Sequence, residues 1–261
     1  MTIQEFYTYS WFSNLAYVDW SPNAIAPDGF SPSAANQAII DANAPDVERV
    51  PGSTSDSPIN TLGEKIFIQE GWRVASFEEN DPDTGFSASL FVNETTGEKV
   101  LGIRGTEPQG DQLLADLIRA DLAEIGFLGM ALSQAVSLFN YVQRLKSTGN
   151  DVLRLELKLS TPVSGEEPPA GVNSVTVIPG VKIWFKAHRD ATGLGLIDET
   201  DNLTITGHSL GGHLAAIGQR LFPALFDQTV TFNAPGFDPA TAGFVTPFVH
   251  CPQDRCIKYA A

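Results

Sequence analysis

One serine of the chain stands in a setting typical of a catalytic nucleophile. Ser209 lies within Gly207-His-Ser-Leu-Gly211, and a further glycine, Gly212, follows. In a Gly-x-Ser-x-Gly turn between a strand and a helix, the serine has a strained backbone, and small residues are needed where the two elements pass close together. A serine presented in this way attacks acyl carbonyls when a histidine accepts its proton. The motif therefore predicts acyl transfer or hydrolysis through a covalent intermediate on Ser209.

The residues on both sides of the motif agree with such a turn. Leucine and isoleucine alternate with threonine over residues 203–206, which is the period of a strand. Apolar residues then recur at helical spacing, at Leu210, Leu214, Ile217 and Leu221. A helix that begins here points its N-terminal backbone N–H groups at Ser209. We therefore expect the N–H group of Leu210 to stabilise a negative charge that develops beside the serine.

A second N–H group for this charge is expected from a loop that follows an early strand. Residues 99–103 have the composition of a strand, and Arg104-Gly105-Thr106 follows directly. Gly105 would let the backbone approach a substrate, and Thr106 would donate its N–H group. Arg-Gly-Thr alone is a common turn, so this assignment of Thr106 depends on the Ser209 motif later in the chain.

Together these segments resemble the class 3 lipase family of α/β-hydrolases. The matching segments are Ile103-Arg-Gly-Thr106, the helix with Leu114, Asp116, Leu117, Asp121 and Leu122, Gly207-His-Ser-Leu-Gly-Gly212, and Thr231-Phe-Asn-Ala-Pro-Gly236. The resemblance covers residues 72–254, apart from one insertion. It implies an α/β-hydrolase fold, with a mostly parallel sheet flanked by helices.

For the site, the resemblance implies that Ser209 is the nucleophile and that the N–H groups of Leu210 and Thr106 form the oxyanion hole. It implies a lipase or carboxylesterase that acts on triacylglycerol, phospholipid or simpler esters, with no cofactor and no metal. Two alternatives stay open at this point. The chain could be a non-catalytic lipid- or partner-binding relative, or an acyltransferase that uses the same residues.

The proton acceptor is expected after the serine, because the order in α/β-hydrolases is nucleophile, acid, base. This order favours His250. His188 precedes Ser209, His208 is expected to pack sideways at the turn, and His213 is expected to face the structure beneath its helix.

Two aspartates are candidates for the acid. Asp254 follows a predicted strand at 243–250, which is the usual place, and is preferred. Asp238 lies in Pro235-Gly-Phe-Asp-Pro239, which resembles a segment of pancreatic-type lipases. Only seven residues follow Asp254, too few for another strand and a loop with a histidine. Either His250 serves with Asp238, or the C-terminus is truncated before the base, which is the outcome we expect.

Composition limits the partners. The 261 residues predict a single domain, and 31 acidic against 16 basic residues give a formal net charge of -15. Such a surface repels nucleic acid and anionic membranes but does not exclude a neutral or zwitterionic ester or lipid, with at most peripheral contact with a lipid interface. We find no apolar run long enough to span a membrane and no N-terminal signal, so export would need another route. Cys251 and Cys256 could form a small disulfide loop or stay free.

Residues 151–198 form an insertion before the strand that carries the serine. Alternating apolar residues predict a β-hairpin whose strands are joined by the polar turn at 164–169. The hairpin is either an inert surface feature or a lid, with Trp184 and Phe185 for lipid contact and Gly193-Leu-Gly195 as a hinge. Elsewhere, helices are predicted at 6–20, 34–41 and 130–146, and strands at 72–77, 87–92, 99–103 and 228–233.

Overall fold

The structure, a computed structural model, describes residues 2–17, 20, 64–105, 131–162 and 166–236. The predicted loop at 21–63 with its short helix, residues 106–130, and the chain after residue 236 lie outside the described residues. The chain divides into two compact units. Each unit has its own sheet and is considered by itself.

A five-stranded sheet forms the first unit, in the order β1-β2-β3-β7-β8. Its strands are β1 (Trp72–Glu78), β2 (Ala88–Asn93), β3 (Lys99–Ile103), β7 (Leu203–His208) and β8 (Gln228–Phe232). The pairs β1–β2 and β2–β3 are antiparallel, whereas β3–β7 and β7–β8 are parallel. The sheet is therefore mixed where a mostly parallel one was expected, because short connections at the start of the chain make antiparallel neighbours. Sheet and helices together make the fold class α/β.

Helix α1 (Ile3–Leu15) packs against this sheet and begins earlier than predicted. The reason is a capping box: Thr2 Oγ1 accepts from the Glu5 backbone N–H, and the Thr2 N–H donates to the Glu5 carboxylate. Aromatic and aliphatic side chains of the helix and the strands share one core, which includes Tyr9, Phe12, Leu15, Trp20, Phe67, Trp72, Phe91, Val100 and Val230.

Strand β7 is buried from Leu203 to Gly207. The hydroxyl groups of its two threonines, Thr204 and Thr206, have hydrogen-bond partners on α1 and β8. Thr206 Oγ1 lies 2.9 Å from the Val230 carbonyl oxygen and 3.4 Å from the Tyr9 carbonyl oxygen. Thr204 Oγ1 lies 3.4 Å from the Tyr9 hydroxyl. Buried hydroxyl groups need such partners, so these contacts fix the position of α1 on the strand that leads to Ser209.

The second unit contains a three-stranded sheet in the order β4-β6-β5. Its elements are helix α2 (Leu132–Lys146), β4 (Val152–Ser160), β5 (Ser174–Ile178) and β6 (Val181–Ala191). The expected two-stranded hairpin is wrong in detail. The second apolar run divides at Gly180, which has a φ of 82°, and β4 pairs with β6 instead of with β5.

The contacts of this insertion also differ from those expected of a lid. Trp184 is only 4% exposed, so it is not available for lipid contact. Gly193-Leu-Gly195 is held against the C-terminal end of α2, where the Leu194 N–H donates to the Arg144 carbonyl (2.7 Å) and the Gly195 N–H to the Ser147 carbonyl (2.8 Å). A side chain on Gly193 would collide with the Ser147 carbonyl. The glycines thus permit close packing and helix capping, and the hinge prediction is wrong.

The outer edge of β4 is covered in a specific way. The Asn140 side-chain amide, on α2, donates to the Leu155 carbonyl (2.8 Å) and accepts from the Leu155 N–H (2.7 Å). It thereby takes the place of a neighbouring strand at one residue and protects an edge that would otherwise invite association. Within the described ranges, no helix has the length and apolar character that crossing a membrane requires.

The first prediction concerns Glu98, a partly buried carboxylate that accepts a hydrogen bond from the Tyr9 hydroxyl (3.2 Å). Burial raises the pKa of Glu98 above its ordinary value, although the Tyr9 hydrogen bond opposes this. Because the pKa of Glu98 is higher in the folded state than in the unfolded state, its protonated form stabilises the folded protein. This stabilisation is fully present below the pKa of the unfolded state and is lost as the pH rises through the pKa of the folded state. Glu98→Gln should therefore raise the melting temperature at about pH 7 and have little effect at about pH 4.

Glu79→Gln is the matched control for Glu98→Gln, because it removes the same charge from an exposed position. It measures how much the melting temperature changes when the net negative charge is lowered by one at any exposed position. The account of Glu98 would be wrong if the two variants gave the same shift at neutral pH, or if Glu98→Gln lowered the melting temperature there.

Candidate active site

Ser209 lies in the turn between β7 and helix α3 (Leu210–Leu221). Its φ is 54°, one of two positive values among the described non-glycine residues. This left-handed conformation is unfavourable for a residue with a side chain and persists only where the surroundings impose it. The serine is half-buried, so its side chain remains partly accessible. The strained turn expected from the motif is thus present in the backbone.

Hydrogen bonds hold the backbone of Ser209 on both sides. Its N–H donates to the Phe232 carbonyl at the end of β8 (2.8 Å), and its carbonyl accepts from the N–H groups of Gly212 (3.0 Å) and His213 (3.2 Å). The serine therefore joins two parallel strands to the first turn of α3. These bonds offset the cost of its positive φ, because the backbone groups at the turn are paired.

The glycines around Ser209 are required by close backbone contacts. A Cβ at Gly207 would collide with the backbone of Gly211, and a Cβ at Gly212 would lie 2.9 Å from the Ala234 Cβ. A Cβ at Gly211 would collide with the Ile103 carbonyl oxygen, at the end of β3. The turn is thus in contact with both neighbouring strand ends, as the parallel pairing of Ile103 with Gly207 requires.

The structure describes one of the two predicted oxyanion donors. Leu210 is buried and is the first residue of α3, where backbone N–H groups have no acceptor within the helix. Thr106 lies outside the described residues. The segment before it is described as far as Gly105, and the Arg104 N–H donates to the Ser87 carbonyl (3.0 Å). A side chain on Gly105 would collide with the His208 carbonyl and the Tyr17 hydroxyl.

His208 is held between two side chains from distant parts of the chain. The Tyr17 hydroxyl lies 3.4 Å from Nδ1, and Asn233 Nδ2 lies 3.4 Å from Nε2. An amide nitrogen only donates, so a neutral ring in this arrangement would accept at Nε2 and donate from Nδ1 to the Tyr17 oxygen. Asn233 has the second positive φ, 50°, at the end of β8.

The other described histidines have partners of their own. His213 is fully buried beneath the turn, and its Nδ1 donates to the Pro235 carbonyl (3.1 Å). His188 belongs to the second unit, where its Nε2 lies 2.9 Å from a carboxylate oxygen of Glu156. His213 thus faces inwards from α3, as expected, and its hydrogen bond holds the segment that follows β8.

The remaining predicted residues lie outside the described part of the chain: His250, Asp238, Asp254, Cys251 and Cys256. Sequence reasoning missed Tyr17 and Asn233 as neighbours of the turn. Asn233 follows a predicted strand, so its position at a strand end was a usable signal. Tyr17 had no comparable signal, because it contacts a residue 191 positions later.

The chain was compared with known proteins. It matches no protein-family model, and no curated protein matches it in sequence. Among solved structures, it is similar to the Lip2 lipase of Yarrowia lipolytica, with 14% identity over 98% of this chain and 70% of that chain, and a TM-score of 0.35. The function therefore has to be inferred from the residues of the chain itself.

The second prediction tests the contact between the turn and β3. Gly211→Ala should destabilise the protein by roughly 1–3 kcal/mol, the usual cost of overpacking, because the added methyl group meets a backbone carbonyl that cannot rotate away. Gly236→Ala is the matched control, since none of the described atoms lies within 4 Å of the new methyl group. Urea unfolding followed by circular dichroism gives both values. Equal effects of the two substitutions would show that the contact at Gly211 does not constrain the turn.

Proposed function

We propose that the chain is a serine ester hydrolase that works through an acyl-enzyme on Ser209. The observation that carries the proposal is the backbone of Ser209, with a φ of 54° in a glycine-lined turn between a buried parallel strand and a helix N-terminus. Such strain is retained where it serves a purpose, and here it lifts a hydroxyl group out of the sheet. Ester cleavage then proceeds by attack of the Ser209 oxygen on the acyl carbon, followed by hydrolysis of the serine ester.

The tetrahedral oxyanion would be stabilised by two backbone N–H groups. The position of Leu210 at the start of α3 supports the first, because its N–H points along the helix axis towards developing negative charge. For the second we propose Thr106, on the grounds that Gly105, the residue before it, is packed against the turn. Backbone donors of this kind need no reorganisation during the reaction.

For proton transfer we propose His250 as the base and Asp238 as the acid that orients it, because this pair keeps the order nucleophile, acid, base, whereas Asp254 follows His250. Support for Asp238 comes from Pro235, three residues before it, whose carbonyl is held beneath the turn by His213. The histidine removes the proton of Ser209 during attack and returns it to the leaving alcohol. The aspartate keeps the imidazole in the tautomer that can accept this proton.

The proposed substrates are neutral or zwitterionic carboxylic esters. The net charge of -15 disfavours anionic substrates and anionic lipid surfaces. The motifs shared with class 3 lipases support acylglycerols or phospholipids as well as simple esters. The two positive-φ residues, Ser209 and Asn233, lie at the carboxyl ends of adjacent parallel strands, which is where α/β folds bind their ligands.

The third prediction concerns Ser209→Ala. It should lower kcat on p-nitrophenyl butyrate by several orders of magnitude, on the scale of roughly 10⁶ for the loss of a triad serine. Ser10→Ala, at a half-buried helical serine on α1, is the control and should leave the rate unchanged. Retention of most of the activity in Ser209→Ala would exclude the serine as nucleophile and favour a non-catalytic role for the turn.

The fourth prediction concerns Thr106. Because the proposed donor is a backbone N–H group, Thr106→Ser should be tolerated, whereas Thr106→Pro removes the donor. The loss in kcat for the proline variant should be at least the roughly 10²–10³-fold that one oxyanion donor contributes. Circular dichroism should show that both variants are folded. Equal activity of two folded variants would place Thr106 outside the oxyanion hole.

A further inference from the structure

We propose that Tyr17 is a positioning residue for the ester-hydrolase site. Its hydroxyl holds His208 and, together with His208, fixes Gly105, the residue that precedes the proposed oxyanion donor. This inference rests on the proposed function of Ser209 and adds a residue from the opposite end of the chain to it. Tyr17 does not touch the reacting atoms in this account, so its effect on the reaction is indirect.

The first observation is the position of Tyr17 relative to α1. The helix ends at Leu15, and the chain turns with the Tyr17 N–H donating to the Asn14 carbonyl (3.0 Å). The phenol is thereby directed to the His208 ring, with 3.4 Å between the hydroxyl oxygen and Nδ1. On the other side of the ring, Asn233 Nδ2 lies 3.4 Å from Nε2. With a partner for each nitrogen, the ring is held in one orientation.

The second observation is the packing of Gly105. Its Cα lies so close to the His208 carbonyl oxygen and to the Tyr17 hydroxyl that a Cβ would collide with both. These two oxygens belong to different elements, the turn that carries Ser209 and the segment after α1. Gly105 is thus confined on two sides, and the phenol forms one of these sides. If the phenol moved away, Gly105, which follows β3, would have space to move that it lacks in the structure.

The catalytic consequence follows from the geometry that an oxyanion hole needs. Its donors have to lie about 2.7–3.1 Å from the oxygen of the tetrahedral intermediate, and the energy falls steeply outside this range. The nitrogen of Thr106 is bonded to the carbonyl carbon of Gly105, so a shift of Gly105 would also shift the proposed donor. The oxyanion exists only in the transition state and the intermediate, so loss of this positioning should lower kcat and leave KM unchanged.

Tyr17→Phe is the direct test, because it removes one oxygen and keeps the ring. The expected loss in kcat on p-nitrophenyl butyrate is about three- to tenfold, the effect of one neutral hydrogen bond, with KM unchanged. Tyr7→Phe is the matched control. It removes a hydroxyl from an exposed tyrosine of the same helix, α1, away from the packed face of the helix. It should leave kcat unchanged.

A spectroscopic readout separates positioning from general destabilisation. The chain has four histidines, so ¹⁵N-histidine labelling gives a spectrum that single substitutions can assign. The His208 ring should show a protonated Nδ1 and an unprotonated Nε2 in the wild type. In Tyr17→Phe this preference should weaken, whereas in Tyr7→Phe it should be kept.

Each outcome is informative. A lower kcat with a changed His208 tautomer in Tyr17→Phe alone supports the proposal. Unchanged kcat in Tyr17→Phe, equal losses in both tyrosine variants, or an unchanged tautomer would overturn it while leaving Ser209 as nucleophile. If the wild-type protein neither cleaves the ester nor reacts with a fluorophosphonate, the proposed function fails, and the role of Tyr17 fails with it.

Discussion

The close contact between the end of β3 and the turn after β7 is the constraint on which the site depends. At Gly211 and at Gly105 there is no room for a side chain, because backbone or hydroxyl oxygens of the facing segment occupy the space. Parallel pairing of β3 with β7 brings these two positions together. The left-handed backbone of Ser209 and the position of Gly105 are consequences of the same contact, since neither can shift without the other.

Helix α1 packs against both strands of this contact. It covers a strand whose buried face contains two threonines, and it satisfies their hydroxyl groups through Tyr9. An apolar strand would have allowed the helix to slide, whereas each hydroxyl group fixes one position along the strand. The same helix then delivers Tyr17 to His208. Packing of the first helix and geometry of the candidate site are thus linked physically, although they lie at opposite ends of the chain.

The local parts of this arrangement could be predicted from the sequence. Glycine spacing, strand alternation and helical periodicity around Ser209 are local patterns. Pairing over long distances could not be predicted: β4 pairs with β6 instead of its neighbour, because an alternating pattern specifies a face but no partner. The contact of Tyr17 with His208 was missed for the same reason. Gly193 was assigned to a hinge because glycine signals both flexibility and close approach, and only the packing distinguishes them.

The central claim is that Ser209 becomes acylated, and mass spectrometry tests it most directly. The intact protein is incubated with a fluorophosphonate, which reacts with activated serines and is not released, and is then digested and mapped. The account predicts one added phosphonyl group per chain, located on Ser209, with no addition after prior denaturation. Absence of labelling in the folded protein, or labelling at another serine, would contradict it.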